Sequence, residues 1–565
     1  MEKFSEIKYV RPDLEKFKAA TNECLDRAEK ATSYEEFKKA LADSEALSKE
    51  LEDMAQVCYI RSTMNKADEF YSKEQEFLDE EFPKLMNLQK RNSEVMLNSP
   101  FRKDFDAEFG KILNETEEKK LILKDERLVP LMIEENKLSE EYSQTAAKCK
   151  TDFRGEECNF YGLLRHMQST DRTERKEAFE AWSALYESVS GKLDEIYDKL
   201  TAIRVKKAEI VGFKNYREFA LIDSEHFDYT KEDLANFKKQ VVEIIVPEVS
   251  KLYEEQRKRL GIDKLQYFDE QLVFPEGNAK PIGAKDQMVK WAQEMYSELS
   301  PETGEFFDFM VKYDLFDLET KPNKHLGGYM TLLPKRKAPF IFSNFNGTSA
   351  DVEVLTHEAG HAFEGYISSR IQPLSSMVMS TSDIDEIHSM TMEHLTYPWM
   401  DKFFGDKVDK FRYAHLTEAL KVIPYLCAVD EFQCRVFDNP KMSADERYAA
   451  WKDIEKTFLP WRSYDGNKFL EKGGFWMQKQ HIFLYPFYYI DYALAQICAF
   501  QIYGKSLKNK EDGWNSYLTL CKMGGSRGYL DLLKGAGLES PFKDGSVKMA
   551  VEGALEQIKV FERSI

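Results

Sequence analysis

Apolar residues recur at three- and four-residue spacing along most of the 565-residue chain, which is the period of an amphipathic helix. Ser33-x-x-Glu36, Asp171-x-x-Glu174 and Ser443-x-x-Glu446 each place a capping side chain ahead of such a pattern. Each therefore predicts a helix start. From about residue 12 to 185 the pattern is long, charged and poor in glycine, and it carries no motif that suggests chemistry. Runs such as Glu115 to Lys120 read there as solvated helix faces. The expected organisation is an N-terminal helical lobe over 1–185 and a second region over 186–565.

The helical texture breaks between about 264 and 350, where glycine and proline cluster. Two strand-like runs stand out, Gly327–Leu333 and Ala338–Phe345, joined by the basic turn Pro334-Lys-Arg-Lys337. They predict a β-hairpin. Asn346-Gly347 then turns the chain, and Thr348-x-x-Asp351 is expected to cap the next helix. If 338–345 is an exposed edge strand, it can pair with an extended peptide, with Gly327 and Gly328 allowing close backbone approach.

Composition narrows the function. The chain is 42% hydrophobic and 13% aromatic, enough for a large core, and its formal net charge is −19. That balance argues against nucleic acid, which needs a basic face. The first residues, Met-Glu-Lys-Phe-Ser-Glu, lack the basic and apolar regions of a secretory signal. Ile482 to Tyr503 is the most membrane-like stretch, but Asp491, Gln496 and Gln501 interrupt it, so a buried helix is expected. The eight cysteines are scattered with no Cys-x-x-Cys pair and read as reduced thiols. A cytoplasmic location is the expectation, and oligomeric state is not legible.

The chemistry lies just after the hairpin, at His357-Glu358-Ala-Gly-His361. Apolar residues at 352, 355, 359, 362 and 363 put the motif on a helix with a buried stripe. His357 and His361, one turn apart, can reach one metal ion. Glu358 lies about 100° round from His357, placed to take a proton from a zinc-bound water. A catalytic zinc needs three protein ligands and an open position. A third histidine six residues after His361 is ruled out, because that position is Ile367. A glutamate from a following helix is expected instead, on the segment Ser382–Glu393, with Ser382-x-x-Asp385 as a cap. Glu386 and Glu393 share a face there, so one can bind zinc while the other accepts an N–H from a ligand histidine. On spacing alone Asp383, Asp385 and Glu364 remain eligible.

His357-Glu-Ala-Gly-His361 followed 25 residues later (386−361) by Glu386 resembles the thimet oligopeptidase and oligoendopeptidase F family. The segments Asp171–Ala178, Gly327-Gly-Tyr329, Phe458–Trp461, Gly473-Gly474, His481 and Pro486–Tyr492 resemble its oligoendopeptidase F branch. The likeness covers roughly 160 to 560. It implies a mainly α, two-lobed helical clamshell around a deep channel, with a small sheet beside the active-site helix. It also implies endopeptidase action on short unstructured peptides, with one zinc per chain. By the resemblance His357, His361 and Glu386 bind zinc, Glu358 is the base and Glu393 supports a ligand histidine. His481, Tyr485, Tyr489 and Tyr492 stand where the family hydrogen-bonds the tetrahedral intermediate, and Gly327, Gly328 and Tyr329 contact substrate. The three tyrosines follow an i, i+4, i+7 helical pattern and are expected to share a face. The spacing from His481 is one residue shorter than in thimet oligopeptidase, and Pro486 follows Tyr485, so the phenol that reaches the oxyanion is left open. His388 is a candidate to face the channel; His166, His226, His325, His394 and His415 read as structural or surface residues.

Two rivals share the motif. One is a metallocarboxypeptidase or dipeptidyl carboxypeptidase; the other is a non-catalytic, zinc-containing peptide-binding protein, which the intact Glu358 disfavours.

Overall fold

Side-chain caps start the long helices at the expected places in the computed structural model, which describes residues 1–565. Ser33 Oγ accepts the Glu36 N–H at 3.3 Å and opens the helix Tyr34–Met64. Asp171 accepts from the Thr173 N–H at 2.9 Å and opens Arg172–Ile210. Ser443 and Glu446 form a reciprocal capping box ahead of Ala444–Phe458. The helix Arg172–Ile210 runs unbroken through residue 185. The expected lobe boundary therefore falls inside one continuous helix, and both regions share it.

The fold is mainly helical, with one dominant core and smaller satellites that involve the N-terminal helices. Leu25, Phe37, Val95, Phe105 and Leu113 form one of these satellites. The dominant core takes in Trp182, Tyr197, Phe363, Trp451, Trp476 and Phe500. All eight cysteines are free and buried. No helix is long and apolar enough to cross a membrane. The stretch from Ile482 to Tyr503 is not one helix. Gln480–Leu484 ends at Tyr485, and a new helix runs from Tyr489 to Lys508. Pro486 explains the break, since it lacks an N–H and drives the preceding residue out of helical geometry.

Two small sheets complete the chain. Strands β1 (Thr151–Phe153) and β2 (Glu156–Cys158) make a surface hairpin. The second sheet has β3 (Phe316–Glu319), β4 (Tyr329–Leu333) and β5 (Ala338–Phe345), in the order β3-β5-β4. The expected hairpin is present, pairing Leu333 with Ala338 and Tyr329 with Phe342. The edge assignment changes, however. The strand β3, absent from the sequence reading, pairs parallel to β5, so 338–345 is central and the free edge belongs to β4.

The register shows what that edge offers. Pro339 has no N–H, and the Ile341 N–H donates to Leu315 O at 3.0 Å on the β3 side. Their antiparallel partners, Leu332 and Met330, are thus non-bonded pairs and turn their own N–H and C=O outward. The Met330 and Leu332 side chains lie towards Gly365 of the next helix. Tyr329 and Thr331 instead bond Thr63 Oγ1 and Gln56 Oε1 of the helix Tyr34–Met64, at 2.6 and 2.8 Å. An open backbone edge therefore runs between the N-terminal region and the helix that carries the motif.

Candidate active site

The motif helix is Ala350–Ile371, and most of it is buried. Its start differs from the expected cap. Asp351 reaches back to accept from the N–H groups of Asn346 and Gly347, each at 2.8 Å, while Thr348 Oγ1 bonds Asn346. This ties the helix directly to the end of β5. The second helix, Ser382–Leu395, begins without a side-chain cap. Asp385 accepts instead from the Ser380 N–H at 3.0 Å, and Ser382 Oγ donates to Asp491.

The two helices cross at Gly360. A Cβ there would lie 2.5 Å from His388 O and 2.6 Å from Ser389 Cα, so only glycine permits this approach. The crossing brings Glu386 beneath both histidines: its Oε2 lies 3.3 Å from His357 Nε2 and 3.3 Å from His361 Nε2. Ligand atoms at about 2.0–2.2 Å from a tetrahedral zinc stand roughly 3.3–3.6 Å apart, so this donor set fits that ion. Ser389 Oγ donates to Glu386 Oε2 at 2.9 Å and Tyr488 OH donates to Oε1 at 2.7 Å, fixing the carboxylate. Burial pushes the Glu386 pKa up, but His361 and His357 outweigh it and hold the group well below the usual carboxylate range. Glu393 Oε1 accepts from His357 Nδ1 at 2.6 Å, which leaves Nε2 of that ring free for a metal. Burial pushes Glu393 up, while His357 and His415 bring it down to about 2.

Glu358 projects from the same helix towards the β4 edge, with Oε1 3.5 Å from the position a Cβ would take on Gly328. Burial raises its pKa, against the opposing pull of His357 and His361. Gly328 also meets Val354 Cγ1, where a Cβ would stand at 2.9 Å. Gly327 takes φ +88° and meets nothing. The Tyr329 ring stacks on Phe342 at 4.7 Å, and its hydroxyl bonds Thr63.

Comparisons with known proteins place the chain in a family. A profile described as peptidase family M3 matches residues 165–551, and one for the M3 N-terminal domain matches 4–122. The chain belongs to peptidase family M3. An oligoendopeptidase F homolog of Borreliella burgdorferi is 24% identical over 470 residues, covering 81% of this chain and 77% of that protein. The structure of PZ peptidase A with an inhibitor matches at TM-score 0.96 and 44% identity over all of both chains. Oligoendopeptidase F of Enterococcus faecium shares the fold at TM-score 0.63, with 15% identity over 98% of each chain. This M3 peptidase is a metalloendopeptidase of the oligopeptidase kind.

The tyrosines of the M3 peptidase are arranged differently from the expected stripe. Because Pro486 ends the helical path, Tyr485 stands outside the helix that holds Tyr489 and Tyr492. It is 54% exposed and within electrostatic reach of Tyr59 in the N-terminal region. Tyr489 is buried against Tyr425, with Lys479 over its ring. Tyr492 lies within electrostatic reach of Glu386 and, more weakly, Glu358; burial first, and then Glu386, push its phenol well above the usual tyrosine value. Tyr488 is the group that sequence reasoning missed. Its signal was the i, i+4 spacing to Tyr492, and the rings lie 5.2 Å apart. His481 sits among these rings, 4.7 Å from Tyr489 and 6.1 Å from Tyr488, and burial takes its pKa down to about 3.

The other acids and histidines go elsewhere. Glu364, Asp385 and His388 form a separate buried group, with His388 Nδ1 3.0 Å from Glu364. His388 is 0% exposed and points away from the paired histidines, because a residue two places after Glu386 lies on the far side of the helix. Asp383 joins His226 and Asp491 in a third buried group. Glu156, Cys158 and His166 gather at the surface hairpin, where Arg165 and Glu174 already engage the carboxylate and the ring. Of the four rival acids, only Glu386 meets the paired histidines. His415 is a buried structural residue, and its Nε2 lies 2.7 Å from Glu393 Oε2, one residue removed from the site.

Proposed function

We propose that this M3 peptidase hydrolyses internal bonds of short, unstructured oligopeptides, using one zinc ion held by His357, His361 and Glu386. The observation that carries the reading is the convergence of His357 Nε2 and His361 Nε2 on Glu386 Oε2, beside Glu358 and an open strand edge. Bound there, zinc supplies Lewis acidity, acidifying water towards a pKa of ~7 and polarising the scissile carbonyl. Glu358 takes the proton of the attacking water on its carboxylate and passes it to the leaving amine nitrogen. Tyr492, with His481 and Tyr488 close by, donates to the oxygen that gains charge; a protonated phenol at neutral pH is suited to this. The outward N–H and C=O groups of Met330 and Leu332, continued by Gly328, pair with an extended substrate backbone and align its carbonyl. Buried free thiols accord with a reducing, cytoplasmic setting.

The test is Glu358→Gln with zinc analysis and quenched fluorescent peptides. The variant retains near-stoichiometric zinc and loses turnover by at least ~100-fold, and chelator abolishes wild-type cleavage. Full activity in Glu358→Gln refutes the mechanism. Cleavage confined to peptides with a free C-terminal carboxylate replaces the endopeptidase reading with the carboxypeptidase one.

A further inference from the structure

We infer that His415 is a positioning residue for the metal site, acting through Glu393; the inference rests on the zinc ligation proposed above. Glu393 has two carboxylate oxygens. Oε1 faces His357 Nδ1 at 2.6 Å, and Oε2 faces His415 Nε2 at 2.7 Å. With Oε2 held, the carboxylate cannot rotate away from His357, and the His357 ring keeps the tautomer and orientation that aim Nε2 at Glu386.

The chain of bonds does not stop at His415. Its Nδ1 lies 2.6 Å from Tyr397 OH, the Tyr397 oxygen lies 3.2 Å from His394 Nδ1, and His394 Nε2 lies 3.1 Å from Gln496 Nε2. All of these side chains are buried. One assignment gives every link a single proton. The Gln496 amide donates to His394 Nε2, and His394 Nδ1–H donates to the Tyr397 oxygen. Tyr397 O–H then donates to His415 Nδ1, and His415 Nε2–H donates to Glu393. In that arrangement Tyr397 fixes His415 as a donor towards Glu393. Tyr397 is itself anchored, because Arg412 donates twice to its main-chain oxygen at 2.7 and 3.0 Å. The Phe411 ring stacks on His415 with centroids 5.4 Å apart and limits its rotation. The network crosses three helices, so it couples the ligand geometry to the packing of Val408–Asp438 and Tyr489–Lys508 on Ser382–Leu395.

The experiment measures zinc dissociation constants by chelator competition on the full chain. His415→Phe is expected to weaken zinc binding ~10–100-fold, as loss of outer hydrogen bonds to ligand histidines does, with activity restored by excess zinc. His415→Gln, which keeps an N–H donor near the Nε2 position, recovers most of the affinity. Because His415→Phe can also disturb packing, the same substitution is made in a Glu393→Ala background, where it should cost no further affinity. Wild-type affinity in His415→Phe overturns the inference, as does equal loss in Phe and Gln variants, or an additive loss in the Glu393→Ala background. Absence of high-affinity zinc from the wild-type protein overturns the ligation reading and the inference with it.

Discussion

Replacing Gly360 by alanine sets two opposing effects against each other. Alanine in a helix interior is favoured over glycine by about 1 kcal/mol, so an exposed site would gain stability. Here the added Cβ stands 2.5 Å from His388 O and 2.6 Å from Ser389 Cα. Ordinary carbon contacts begin near 3.3–3.5 Å, so the helix Ser382–Leu395 must retreat by roughly 0.8 Å. Both contacted atoms are backbone, so no side-chain rotation relieves them. Overpacking of this kind costs about 1–3 kcal/mol, enough to cancel or reverse the propensity gain. The larger effect is expected at the proposed zinc site. Glu386 lies on the helix that moves, and a zinc site tolerates ligand distances only within about 0.2 Å. Gly360→Ala is therefore expected to lower zinc affinity at least ~10-fold, on the scale of a disturbed ligand shell, with a flat or lowered Tm. Chelator competition and calorimetry read the two quantities separately. A raised Tm with unchanged zinc affinity would refute the claim that this crossing sets the site.

Three further outcomes follow from the same geometry. Tyr488→Phe removes a hydrogen bond to an ionised carboxylate, worth about 1.5–3 kcal/mol, and should weaken zinc binding; Tyr492→Phe should instead lower kcat by ~10²–10³ with zinc unchanged, and the reverse pattern would contradict the roles given. Burial pulls the His226 pKa down, but Asp491 and Asp383 outweigh it and bring it to about 9; since this is above the unfolded value, its contribution is full below ~6.5 and lost as pH rises through ~9. Wild-type unfolding free energy should thus fall more steeply than that of His226→Gln across this window, by an amount of order 3 kcal/mol, and parallel curves would rule the linkage out. Finally, substrate peptides N-methylated where they face Met330 or Leu332 should lose cleavage efficiency by ~10-fold, the cost of one lost hydrogen bond, whereas equal efficiency would show that the β4 edge does not hold substrate.

Some of the site was legible because it is local in sequence. His357, Glu358 and His361 sit within two turns of one helix, so helical geometry alone places both imidazoles on one face. The caps at Ser33, Asp171 and Ser443 and the hairpin between Leu333 and Ala338 are likewise set by residues within a few positions of each other. The motif also carried the expectation of a glutamate ligand, through the absence of a histidine at Ile367.

Tertiary packing decided the rest. Whether Glu386, Asp385, Asp383 or Glu364 meets the histidines depends on where two helices cross, and Gly360 fixes that crossing through a backbone contact that spacing does not encode. Strand β5 became central because the distant segment Phe316–Glu319 pairs with it, which moved the open edge to β4. Pro486 was visible in the sequence, yet its consequence, Tyr488 instead of Tyr485 beside Glu386, required the helix after the break to be placed in space. His415 lies 22 residues beyond Glu393, and no periodicity links the two. The chain's local geometry fixed which chemistry is available; long-range packing chose which side chains share it, because each such choice turns on an approach between elements far apart in sequence.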